Sequence, residues 1–135
     1  MKAEAIKRVG VVGAGTMGNG IAHVFAQSGY AVTLCDRSDE NLQRALKVID
    51  KNLDRLVKKE KITEGDKAST LKRVTTTTAQ AELKDCQLVV EAVYESLAVK
   101  EEIFRELGAL LPAEAILASN TSSLPITLLA SSTGR

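Results

Sequence analysis

Three features of this chain predict an α/β fold, doubly wound around a mostly parallel sheet. The first is a strand-like run, Arg8–Val12, that leads straight into Gly13-x-Gly15-x-x-Gly18. The second is a helix-period stretch carrying Ile21, Ala22, Phe25 and Ala26, stopped by Gly29 and followed by another strand-like run, Ala31–Asp36, ending in an acid. The third is the continued alternation of helical and strand-like segments to the end of the chain, the pattern that builds parallel sheets.

The first two features form a complete strand–helix–strand unit with a dinucleotide-binding fingerprint in the right context, hence a Rossmann-type domain. Gly13 lets the chain turn tightly out of the strand, Gly15 lets the backbone approach a pyrophosphate, and Gly18 lets the helix pack close on the sheet. Thr16 and Met17 open that helix; the N–H of Met17 is expected to bind a phosphate while its side chain packs. Asp36, 18 residues beyond Gly18, can take both hydroxyls of an adenosine ribose. Its carboxylate repels a 2′-phosphate, which favours NAD over NADP, and the neighbouring Arg37 is the residue that could instead partner such a phosphate.

The remaining elements follow in order. Ser38 can cap a helix whose Leu42, Leu46, Ile49, Leu53 and Leu56 recur at spacings of four and three. That helix runs to a charged tip, Lys58–Lys61, and Thr63 caps a second one, Glu64–Leu71. The pair is a helical hairpin inserted between strands 2 and 3, where a minimal dinucleotide fold needs only a short crossover. Strand 3 is Val74–Thr77, β-branched throughout, and strand 4 is the mostly apolar run Leu88–Ala92. A helix over Leu97–Leu110 turns Ile103, Leu107 and Leu110 inward and ends at Pro112. Ala115–Ala118 is strand 5; it empties into the polar loop Ser119–Ser123, and Pro125 suits the start of a last helix.

In open sheets of this kind ligands bind beyond the carboxyl ends of the strands. The Gly13–Gly18 turn, Asp36, the Val93–Glu95 loop and the Asn120–Ser123 loop all fall there, although they come from four different strands.

Composition bounds the function. The chain has 135 residues, enough for one domain with a real core, and 18 basic against 17 acidic residues give a net charge of +1. That balance asks for neither nucleic acid nor a membrane surface. No apolar run is long enough for a bilayer, and the first residues carry an acid and no apolar signal core, so a cytoplasmic protein is expected. Cys35 and Cys86 have no metal-ligand spacing and are expected to be reduced, buried thiols. No metal site is expected.

Three stretches carry a resemblance: Gly13-Ala-Gly-Thr-Met-Gly-Asn-Gly-Ile-Ala22, Val89-Val-Glu-Ala-Val-Tyr-Glu-Ser-Leu-Ala-Val-Lys100 and Ala118-Ser-Asn-Thr-Ser-Ser-Leu-Pro-Ile-Thr127. Together they resemble the (S)-3-hydroxyacyl-CoA dehydrogenases, above all the bacterial 3-hydroxybutyryl-CoA type, across essentially the whole chain. The Ser-Asn-Thr-Ser-Ser stretch is the most specific part, since a generic NAD domain does not need it. The resemblance implies NAD as cofactor, an acyl-CoA substrate, and a place in fatty acid metabolism and β-oxidation. It implies that Glu95 and Lys100 face the nicotinamide ribose, and that Ser122 touches both the nicotinamide side and the substrate oxygen, as the catalytic residue of this chain. Lys59 matches a coenzyme A contact in the hairpin, and Asn52 stands where relatives have a serine contact.

The same resemblance places the general base, a histidine oriented by a glutamate, in a mostly helical C-terminal domain that also carries dimerisation. The chain stops before the His-Phe-Phe-Asn-Pro stretch of that domain, so residues 1–135 are expected to be the NAD-binding half of a homodimeric enzyme, silent by itself. Its one histidine, His23, does not match the base and reads as a helix-face residue with a local hydrogen bond.

On the residues alone, blander readings stand beside these. Glu95 could be a solvated loop acid, Lys100 could pair with an acid of its own helix, Ser122 could cap the next helix, and Lys59 could be part of a solvated tip. A related β-hydroxy-acid dehydrogenase, or a non-catalytic NAD-sensing or structural module, would share the same fingerprint.

Overall fold

The computed structural model describes residues 6–93, 97–112 and 114–119. Five parallel strands form one sheet in the order β3-β2-β1-β4-β5. They are β1 (Arg8–Val12), β2 (Ala31–Cys35), β3 (Val74–Thr77), β4 (Leu88–Glu91) and β5 (Ile116–Ser119). The helices are α1 (Thr16–Gln27), α2 (Asp39–Lys58), α3 (Glu64–Lys72) and α4 (Leu97–Leu110). The strand order reverses at β1, which has β2 on one side and β4 on the other, so the topological switch lies at the glycine turn.

The pleat of β1 explains the layers. Val9 and Val11 point into a core shared with Ala22 and Ala26 of α1 and Leu42, Ile49 and Leu53 of α2. Val12 points the other way, into a second core with Ile103 and Leu107 of α4. Burial on both faces accounts for the near-continuous apolar sequence of the central strands.

Local chemistry sets the helix ends. The Ser38 hydroxyl accepts from the Asn41 N–H at 3.2 Å, and Thr63 forms a capping box with Asp66. Gly29, at φ +106°, turns the chain out of α1, while Arg73 donates to the Ala26 carbonyl at that helix's end. In the hairpin, Lys67 of α3 bridges Asp50 and Asp54 of α2 at 3.2 and 2.9 Å.

The parallel sheet is as expected, with all four strand pairings parallel among the described residues. Several boundaries shift. Strand 4 stops at Glu91, one residue earlier than expected; the Ala92 N–H makes the last rung of the ladder, to the Val12 carbonyl. Strand 5 starts one residue later than expected, since the Ala115 N–H is spent on the turn carbonyl of Pro112. A short 3-10 turn, Gln80–Leu83, was not foreseen; it buries Leu83 against the second core. The helix expected at Pro125 lies outside the described residues.

Candidate functional site

The site begins at the glycine turn. Gly13 has φ +107°, a conformation that favours glycine, and its N–H bonds the Cys35 carbonyl of β2 at 2.8 Å. A Cβ added to Gly18 would overlap the Gly13 carbonyl, so this position holds α1 tight on the turn. A Cβ added to Gly15 would meet nothing within 4 Å. Gly15 is therefore small for a reason other than packing, and it caps an α1 with no acid in its first turn. An open backbone cradle at a helix N-terminus suits a pyrophosphate.

Asp36 follows directly on the end of β2, beside the glycine turn. Its Oδ2 accepts from the Ala14 N–H at 2.8 Å and its Oδ1 from the Ser38 N–H at 2.9 Å. The carboxylate thus ties the glycine turn to the end of β2. Two oxygens offer about four acceptor sites, and with Ala14, Ser38 and Asn41 donating, capacity for a ribose hydroxyl is left. A crevice of about 390 Å³ opens here, lined by Gly13, Asp36, Arg37, Asn41, Thr78, Gln80, Val93 and Val99 among others. Asn41 also reaches Asp36 Oδ1 at 3.4 Å. Sequence reasoning missed Asn41, Thr78 and Gln80; nothing in their local pattern distinguishes them from loop and cap residues.

The far side of β1 carries a feature of another kind. Glu91, the last residue of β4, is fully buried. Its Oε2 receives the Lys100 ammonium at 2.6 Å and the Val93 N–H at 2.6 Å, and its Oε1 receives the Ser119 hydroxyl at 2.9 Å. Lys100, 3% exposed, also donates to the Val93 carbonyl. The partner of Lys100 is thus an acid from β4 and not one on its own helix. Glu91 was the residue to find: an ionisable side chain closing an apolar parallel strand is buried and must have a partner.

Of the remaining candidates, Thr16 is exposed and Met17 half-buried in the first turn of α1. Asn52 is half-buried on α2 and Lys59 exposed at that helix's end; neither lines the crevice. Glu95 and Ser122 lie outside the described residues. His23 sits on α1 with Nε2 2.7 Å from Gln27 Oε1, the local hydrogen bond expected of it. Both cysteines are buried, and burial pushes each thiol up to about 11. Among the described residues no helix is long and apolar enough to cross a membrane.

Comparison with known proteins bears on this arrangement. Residues 8–135 match the family described as 3-hydroxyacyl-CoA dehydrogenase, NAD binding domain. The 3-hydroxybutyryl-CoA dehydrogenase of Bradyrhizobium diazoefficiens is 48% identical over 133 residues, covering 98% of this chain and 45% of the relative. The mitochondrial hydroxyacyl-coenzyme A dehydrogenase of Rattus norvegicus is 42% identical over 137 residues, covering 96% and 43%. Among solved structures, the (S)-3-hydroxybutyryl-CoA dehydrogenase of Ralstonia eutropha superposes with a TM-score of 0.92 at 45% identity, covering 96% of this chain and 46% of that one. The chain therefore spans about half the length of the relatives it matches, and the cofactor of this domain is NAD.

Proposed function

Because this chain belongs to the 3-hydroxyacyl-CoA dehydrogenase family, as its NAD-binding domain, we propose that it is the cofactor half of an enzyme that interconverts (S)-3-hydroxyacyl-CoA and 3-oxoacyl-CoA, with 3-hydroxybutyryl-CoA as substrate. The observation that carries this reading is likeness to 3-hydroxybutyryl-CoA dehydrogenases over 98% of the chain. The open cradle at Gly15 and the Asp36 carboxylate support it by fitting the diphosphate and the ribose of an adenosine diphosphate.

Bound NAD supplies the hydride acceptor. The chain's own groups hold and orient it. The first turn of α1 and the Gly13–Gly18 backbone neutralise the pyrophosphate, and Asp36 fixes the adenosine ribose. Glu95 and Lys100 face the second ribose. Ser122 donates to the substrate's 3-oxygen as negative charge gathers there, in concert with a histidine base from a second, helical domain. Asn52 and Lys59, two helical turns apart and so on one face of α2, contact coenzyme A from the hairpin. The enzyme works in the cytoplasm as a homodimer joined through that second domain.

The test is a fusion. This chain alone is expected to bind NAD and to leave NADH and acetoacetyl-CoA unreacted, since His23 is turned to Gln27 on the outer face of α1. Joining the C-terminal part of the Bradyrhizobium relative after residue 135 is expected to give turnover in the ordinary enzyme range of about 1–10³ per second. A fusion that folds and binds NAD but does not touch acetoacetyl-CoA would overturn the substrate assignment.

A further inference from the structure

We propose that Glu91 is a positioning residue for the cofactor, holding Lys100 where the second ribose of the dinucleotide lies. The inference rests on the reading that Lys100 faces that ribose.

Register supplies the first argument. Val12, the last residue of β1, pairs with Cys35 on one side and Glu91 on the other. Asp36 and Glu91 therefore stand at the carboxyl edge on opposite sides of the glycine turn. They are two strand spacings apart, about 10 Å. A dinucleotide whose first ribose is on Asp36 and whose pyrophosphate crosses at Gly15 brings its second ribose over β4.

Chemistry supplies the second. Lys100 is 3% exposed and its Nζ meets both the Glu91 carboxylate at 2.6 Å and the Val93 carbonyl, so the side chain keeps a fixed direction. Stability alone does not call for the arrangement, because buried ion pairs can often be replaced by apolar residues of like volume without loss.

Reach supplies the third. Through Lys100, Ser119 and the Val93 N–H, one carboxylate joins the start of α4, the end of β5 and the loop after β4. Those are the segments from which Glu95 and Ser122 depart.

The experiment titrates this 135-residue chain with NAD, ADP-ribose and ADP by calorimetry. ADP ends at the pyrophosphate; ADP-ribose adds the second ribose. Wild type is expected to bind ADP-ribose more tightly than ADP. Glu91→Gln retains acceptors for Ser119 but loses the charge under Lys100. It is expected to weaken NAD and ADP-ribose tenfold or more and to change ADP by less than about twofold. Lys100→Met is expected to do the same. The double variant Glu91→Gln/Lys100→Met leaves no unpaired buried charge, so it remains readable should a single variant unfold. It is expected to be no weaker than the worse single, as residues acting as one unit are. Equal losses for ADP and ADP-ribose, or a double variant that binds ADP-ribose as wild type does, would overturn the role of Glu91. Failure of wild type to bind NAD at all would instead overturn the cofactor reading itself.

Discussion

A methyl group added at Gly15 meets nothing, whereas one added at Gly18 runs into the Gly13 carbonyl. The two substitutions should therefore separate binding from folding. Gly15→Ala adopts an ordinary extended conformation, since φ there is −75°. It is expected to keep the melting temperature within a few degrees and to weaken NAD about tenfold or more, near 1.4 kcal/mol. Gly18→Ala is expected to push α1 off β1 and to cost about 1–3 kcal/mol of stability. Thermal melts and calorimetry on the pair check this; equal loss of NAD affinity at unchanged stability in both would refute it. In the fusion protein, Ser122→Ala is expected to lower kcat about tenfold or more, at least ~1.4 kcal/mol, while Ser123→Ala has little effect. The reverse order would mean that the serine assignment is displaced by one. At this scale the place of Asp36 beside the glycine turn was legible because it follows from strand, turn and spacing. Glu91 was not singled out, because its partners, Lys100 and Ser119, are 9 and 28 residues away and meet it only in the folded sheet.

At the scale of elements, the α2–α3 hairpin carries polar contacts beside its apolar stripe. The Thr63–Asp66 capping box closes one end of α3, and Lys67 bridges to Asp50 and Asp54. Hydrogen bonds from Thr63 hold the Asp66 carboxyl below its ordinary value. A depressed carboxylate stabilises the fold above its unfolded pKa, and that contribution is lost as pH falls through the folded one. Thr63→Ala is expected to cost about 0.5–2 kcal/mol near neutral pH and less in acid. Denaturant melts of both chains at pH 7 and pH 3 measure the difference; a gap that widens in acid would contradict it. Helix boundaries in this region were readable because caps and apolar periods are local signals. The 3-10 turn at Gln80–Leu83 was not, since one buried leucine in a polar stretch has no period to show.

For the whole molecule, the two-sided core determines what solvent can reach. Cys35 and Cys86 are both buried, with thiols pushed up to about 11, so at pH 8 only about one in a thousand is a thiolate. Both are expected to react with a thiol reagent far more slowly than in the unfolded chain; fast native reaction would contradict the burial. Because the folded values lie above the ordinary 9, the stability these thiols contribute is full below pH 9 and falls as pH climbs toward about 11. Topology was legible as a whole because alternating strands and helices leave few ways to wind a sheet. The central claim, that the edge where the winding reverses is an NAD site read by Asp36, has one direct measurement. Calorimetric titration of NAD and NADP into this chain is expected to show NAD binding about tenfold or more tightly, with the gap narrowed in Asp36→Ala; equal or tighter binding of NADP would contradict it.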